Sequence, residues 1–264
     1  MTALRLGAVS YLNTKPLVYG LDAHPDQFDV RFDVPAKCAE LLHEGRVDLG
    51  LIPAIEYQRG QYAIVPDISI ASDGPVATVA IFTRRPIREV QTLALDLSSR
   101  TSVALTRVLC AKHWHITPKF TPAEPDLEAM LQRADAALVI GDPAFEIDPA
   151  RHNVTKIDLG AEWKSLTGLP FVYAMWVGRP GAATPEQCRA LREARDAGVA
   201  HLPKIARQVG GGNSRLEQRA LEYLRDNLKY GLGPSEQAGL RKFHELAAEI
   251  GVVSALEPLR FYPD

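Results

Sequence analysis

Leu4-Arg-Leu-Gly-Ala-Val9, Val30-Arg-Phe-Asp-Val34 and Val47-Asp-Leu-Gly-Leu-Ile52 are three short apolar-rich runs, with Ala36-Lys-Cys-Ala-Glu-Leu-Leu-His43 between the last two. Short apolar runs that alternate with helical patterns read as βαβ units and a parallel sheet. Thr14–Leu21 supplies the helical pattern between the first two strands. The same rhythm then returns. Val76–Thr83 reads as a strand closed by Arg84-Arg85-Pro86, and Leu93–Leu97, Lys119–Thr121 and Ala136–Ile140 read as strands alternating with helices at Thr101–Lys112 and Leu127–Arg133. Pro170–Val177 is a further apolar strand. From Thr184 onward the pattern is helical, punctuated by the N-terminal signals Thr184-Pro-Glu-Gln187 and Ser214-Arg-Leu-Glu217. Two α/β series joined by two crossings follow from this order. The crossings are expected near Thr83–Pro86 and Val172–Val177, dividing the chain into one lobe of residues 1–85 plus 178–264 and a second of residues 86–177.

A chain of 264 residues with 46% hydrophobic side chains can bury a large core or two ordinary ones. Thirty Lys and Arg against 32 Asp and Glu give a net charge of −2 with no long run of either sign, which argues against a nucleic-acid footprint. No apolar stretch approaches the roughly 20 residues that span a bilayer, so no membrane partner is expected. The opening residues lack the basic segment and apolar stretch of a secretory signal, which makes the cytoplasm the expected location. Cys38, Cys110 and Cys188 are widely separated and read as core residues rather than a disulfide or thiolate metal framework.

Two strand-to-helix junctions concentrate polar groups. Ser10-Tyr11-Leu12-Asn13-Thr14-Lys15-Pro16 follows the first strand, and Ser98-Ser99-Arg100-Thr101-Ser102 follows Leu93–Leu97. Helix starts expose unpaired N–H groups and the positive end of the peptide dipole, so each junction can cradle an anion. Hydroxyl residues there also cap helices, a purely local use. Ile140-Gly141-Asp142-Pro143-Ala144 lies at another strand end, where Gly141 would let the backbone approach a ligand and Asp142 would cap the following turn. Trp163–Pro170 reads as a wall or lid of a cleft.

Together, Ser10–Pro16, Asp96–Ser102, Thr167-Gly-Leu-Pro-Phe171 and Asn227-Leu-Lys-Tyr-Gly-Leu-Gly-Pro-Ser-Glu236 resemble the chorismate dehydratases of the futalosine route to menaquinone, over nearly the whole chain. The resemblance implies a type II periplasmic-binding-protein-like fold, two α/β lobes with a ligand cleft between them. It implies an enzyme that removes water from chorismate to give 3-[(1-carboxyvinyl)oxy]benzoate without a metal or organic cofactor. Thr78 aligns where the family usually has a small hydroxyl residue, so Asn13 and Thr78 are the expected catalytic pair. Ser10, Thr14, Ser98, Ser99, Arg100, Thr101, Ser102, Gly141 and Asp142 are the expected substrate contacts. The related cyclase that forms 1,4-dihydroxy-6-naphthoate, and a non-catalytic small-anion-binding protein of the same fold, are the alternatives.

Other chemistries find no foothold. Gly210-Gly211-Gly212 lacks the strand and the Gly-Lys-Ser/Thr that a phosphate loop needs, and there is no Gly-x-Ser-x-Gly elbow or His-Glu-x-x-His. His113-Trp-His115 has a spacing that points two helical rings apart. Glu56 is expected to be a structural or solvent-facing carboxylate. With no evident His or Glu base in the family-like motifs, the substrate's own enolpyruvyl carboxylate is expected to take the proton, and ligand binding is expected to close the cleft by a hinge.

Overall fold

A computed structural model describes residues 3–263. Among them ten strands form two five-stranded sheets: β1 (Leu4–Val9), β2 (Phe28–Asp33), β3 (Leu49–Pro53), β4 (Ala63–Ser72), β5 (Val79–Thr83), β6 (Thr92–Asp96), β7 (Lys119–Ala123), β8 (Ala136–Ile140), β9 (Thr155–Asp158) and β10 (Phe171–Gly178). The first sheet has the order β2-β1-β3-β10-β4, with β1 parallel to β2 and β3 and with β10 antiparallel to β3 and β4. The second has the order β7-β6-β8-β5-β9, with β6 parallel to β7 and β8 and with β5 antiparallel to β8 and β9. Each sheet is therefore a parallel α/β unit into which one late or early strand is inserted in reverse.

Those reversed strands correct the expected crossings. The chain leaves the first sheet after Ser72 and is already in the second at Val79, and it returns between Thr167 and Phe171. The expected crossings at Thr83–Pro86 and Val172–Val177 thus fall one strand late at each passage. Both β5 and β10 are buried along their whole length. A strand buried on both faces carries no alternation that tells which sheet it joins.

Local chemistry also redraws the first junction. The expected helix Thr14–Leu21 is instead a 3-10 helix over Leu12–Val18 and a short one over Leu21–Ala23. Pro16 lies inside the first of these, and a proline there lacks the N–H and the room that a continuing α-helix requires. Tyr11 stands at its N-cap without a side-chain cap, so Asn13 is not used as one. The second junction behaves as a helix start: Ser99 accepts from the Ser102 N–H and opens the helix Arg100–Leu109. Further along, Thr184 and Gln187 form the expected reciprocal cap, whereas Asn213, one residue before the expected Ser214, caps the helix Ser214–Glu222.

The region read as a lid belongs to the core. Trp163 is fully buried in the helix Leu159–Thr167, meets the edges of Phe171 and Phe243 at 5.1 and 6.1 Å, and donates its indole N–H to the Pro170 carbonyl at 3.1 Å. All three cysteines are buried, and none is in a disulfide.

Gly198, buried in the helix Pro185–Ala200, lies directly against the Pro16 backbone, where an added Cβ would occupy the position of the Pro16 carbonyl. Neither backbone can give way cheaply. Gly198→Ala is expected to cost about 1–3 kcal/mol, read as a fall in thermal midpoint of about 2–4 °C for each kcal/mol. An unchanged midpoint by circular dichroism would contradict this close approach.

Candidate active site

A cavity opens between the two sheets at strand ends. The first lobe supplies Val9, Tyr11, Asn13, Ile70 and Tyr173, among others; the second supplies Thr78, Ser99, Ser102, Ile140 and Gly141. Among the described residues no Asp, Glu, Lys, Arg or His lines it, and the ionisable groups of the lining are two phenols, Tyr11 and Tyr173. Burial pushes both above the ordinary tyrosine range. Both stay neutral at physiological pH.

The polar residues are aimed by specific supports. Thr78 ends the crossing segment directly after Ala77, whose backbone is left-handed with φ 68°. That conformation costs an alanine on the order of 1–2 kcal/mol. Asp158 holds it by accepting from the Val76 N–H at 3.0 Å and the Ala77 N–H at 2.6 Å, while the Lys156 ammonium donates to the Ala77 carbonyl at 2.6 Å. Thr78 Oγ1 lies 2.9 Å from the hydroxyl of Tyr223. Asn13 Oδ1 accepts from the Thr14 hydroxyl at 3.3 Å, which turns the amide nitrogen elsewhere. Ser102 donates to Ser99 Oγ at 3.0 Å, and this leaves the Ser99 proton available to the cavity.

Gly141 has φ 67° and no side chain, and a Cβ there would meet the Tyr11 ring at 2.7 Å. Its missing side chain is what lets Tyr11 cross from the other lobe. Its N–H donates to the Thr78 carbonyl at 2.8 Å, so it contributes surface rather than a free donor.

Several expected contacts are placed elsewhere. Asp142 accepts from the Leu12 N–H at 3.1 and 3.3 Å, closing the start of the first 3-10 helix with a carboxylate from the opposite lobe. Burial raises the Asp142 carboxyl above its ordinary value, partly offset by that bond. Thr101 Oγ1 accepts from the buried Ile55 N–H at 3.1 Å, and Ser98 donates through its N–H and hydroxyl to Asp96 at 2.9 and 2.6 Å. Ser98 also receives the Tyr11 hydroxyl at 3.3 Å. Thr14 is 1% exposed and faces Asn13, while Ser10 is exposed on an outer groove beside Lys15.

Arg100 does not reach the cavity. It pairs with Glu56 at 2.8 Å and with Glu40 at 3.1 Å across a separate groove between the lobes. Glu56 is buried, and the same carboxylate oxygen that meets Arg100 also meets His43 at 2.9 Å and Arg59 at 3.4 Å. Burial alone would raise its carboxyl, yet the bonds and charges of His43, Arg100 and Arg59 hold it below the ordinary range. The expected structural reading of Glu56 thus agrees with its surroundings, though it faces protein rather than solvent. His113 and the Trp114 indole both meet Glu162 at 3.0 Å.

Tyr11, Tyr173 and Tyr223 were not singled out by sequence reasoning. Tyr11 lies within the quoted first motif, and Tyr223 lies four residues before Asn227-Leu-Lys-Tyr-Gly; no local pattern marks either ring as part of a cavity.

Residues 4–249 match the family model described as "Menaquinone biosynthesis". The chain belongs to this menaquinone-biosynthesis family. Within the curated relatives it is 32% identical over 258 residues to the chorismate dehydratase of Thermus thermophilus, covering 91% of this chain and 93% of that one. Among solved structures it is similar to a protein of Archaeoglobus fulgidus, with a TM-score of 0.76 and 16% identity over 96% of this chain and 99% of that one. It is also similar to a Candida albicans gene product described as having the generic periplasmic binding protein structural fold, with a TM-score of 0.66 and 10% identity over 97% and 92% of the two chains. These structural likenesses establish the fold of this family member: two α/β lobes of periplasmic-binding-protein type. No helix of the described residues is long and apolar enough to cross a membrane.

Arg100→Ala tests the corrected assignment. It removes a partner of buried Glu56 and should destabilise by about 1–3 kcal/mol, while ligand affinity stays within about twofold. Because the Glu56 pKa is depressed by folding, its stabilising contribution is complete above the ordinary carboxylate pKa and is lost as pH falls through the depressed folded value. The variant should therefore show a shallower acid-side loss of thermal midpoint than the parent. A large loss of affinity with unchanged stability would return Arg100 to the ligand site.

Proposed function

We propose that this chain is a hydro-lyase that dehydrates chorismate to 3-[(1-carboxyvinyl)oxy]benzoate, with the substrate supplying its own base. The full-length likeness to a chorismate dehydratase supports the reaction. The carrying observation for the mechanism is the absence of any charged side chain from the cavity lining. A base is needed to remove the ring proton, and the lining phenols are neutral.

The substrate's enolpyruvyl carboxylate fills that role. Taken out of water into a cavity without cations, a carboxylate becomes a stronger base, because burial disfavours its charged form. The ring C–H pair becomes a ring π pair, the C–O bond breaks with its pair on oxygen, and the proton carried by the carboxylate completes the departing water. Aromatisation drives the step, and no metal or organic cofactor enters the atom balance. The protein's work is to hold the ring and align its groups. The Asn13 amide, the Thr78 hydroxyl and Ser99 and Ser102 converge on the space from both lobes and offer hydrogen bonds without adding charge.

Purified protein incubated with chorismate should generate the aromatic product, followed by ultraviolet absorbance and mass; unchanged chorismate would overturn the reading. Asn13→Asp puts a carboxylate beside a dianion and removes an amide donor, so turnover should fall by roughly 10²-fold or more with the fold intact. Glu56→Gln should retain turnover. Abolished turnover with intact chorismate binding in that variant would identify a protein base and contradict substrate-assisted proton transfer.

A further inference from the structure

Tyr223 stands outside the cavity lining yet touches its chemistry. It begins the π-helical turn Tyr223–Asn227, after the helix Ser214–Glu222, and is 2% exposed. Its ring packs at a tilt against Phe145 of the second lobe with centroids 5.5 Å apart. Its hydroxyl lies 2.9 Å from Thr78 Oγ1, within hydrogen-bond distance. One buried phenol from the C-terminal helices thus meets a hydroxyl that lines the cavity.

Between a phenol and an aliphatic hydroxyl, the more acidic phenol is the better donor, which directs the Tyr223 proton to Thr78 Oγ1. Thr78, accepting from Tyr223, keeps its own proton for the cavity that it lines. Accepting one hydrogen bond polarises the Thr78 O–H and strengthens it as a donor.

We propose that Tyr223 is a positioning residue for the dehydration: its hydroxyl donates to Thr78 Oγ1 so that the Thr78 O–H donates to the oxygen leaving the ring. The assignment rests on the dehydratase reading above. No net proton is consumed by this pair of hydroxyls. The ring proton passes to the substrate carboxylate and then to the departing oxygen, while the Thr78 hydrogen bond stabilises the negative charge that grows on that oxygen as the C–O bond breaks. Tyr223 contributes by fixing which way the Thr78 proton points, without contact with the substrate.

The test is a kinetic double-mutant cycle on purified full-length protein with chorismate. Tyr223→Phe removes only the hydroxyl, and it should lower kcat by about 10- to 100-fold while KM changes by less than about threefold. Thr78→Ala should lower kcat at least as much, Thr78→Ser should keep most of the activity, and Tyr223→Phe combined with Thr78→Ala should be no slower than Thr78→Ala alone. Circular dichroism gives the folded fraction to which each rate is normalised. A structural tyrosine would instead show a lower thermal midpoint with unaltered kcat per folded molecule, or losses that add independently to those of Thr78→Ala; either result overturns the proposal while leaving the parent's dehydratase activity standing. A parent protein that binds chorismate and eliminates no water overturns the functional reading, and the role of Tyr223 with it.

Discussion

Backbone N–H groups trapped between the lobes must find acceptors, and the way they find them organises the molecule. The Ile55 N–H is buried at the end of the first lobe's central strands and is met by Thr101 from the second lobe; the Leu12 N–H is met by Asp142. Leaving a buried donor unpaired costs about 1–3 kcal/mol, so these seam bonds are not optional once the lobes meet. The Ala36 N–H adds another by donating to the Ser98 carbonyl at 2.9 Å. The seam therefore consumes much of the polarity found at the strand ends. What remains pointed inward is a small set of neutral groups.

That remainder determines the electrostatics of the cavity. Arg100 is neutralised by Glu56 and Glu40, Lys156 is spent on the Ala77 carbonyl, and among the described residues no cation lines the cavity to hold a substrate carboxylate by charge. A neutral, largely apolar space is a costly place for a dianion. It is also a place where a carboxylate regains basicity and where each hydrogen bond is strengthened by the low local dielectric. Binding is weakened and proton abstraction favoured by the same absence of charge, which fits a reaction that needs a base and has none in the lining.

The alternation of strands and helices was legible because half-buried and parallel strands leave short apolar runs between capped helices. The membership of β5 and β10 was not, since both are buried throughout and their antiparallel insertion depends on partners far away in sequence. The site was legible only in part. Asn13, Thr78, Ser99, Ser102 and Gly141 do line the cavity, whereas Ser10, Thr14, Ser98, Arg100, Thr101 and Asp142 do not. A hydroxyl or carboxylate at a helix start looks the same in sequence whether it caps, bridges lobes or meets a ligand. Tyr223 is 145 residues from Thr78, and nothing local predicts that their hydroxyls meet.

On the proposed reading the neutral cavity, and not the arginine-bearing groove beside it, receives the substrate. A crystal structure of the protein with 3-[(1-carboxyvinyl)oxy]benzoate separates the two sites. The aromatic ring should lie between the lobes, with polar atoms of the product on Asn13 and Thr78 and with Arg100 still paired with Glu56. Product seated in the outer groove with a carboxylate on Arg100 or Arg59, and the inner cavity without product, would contradict that reading.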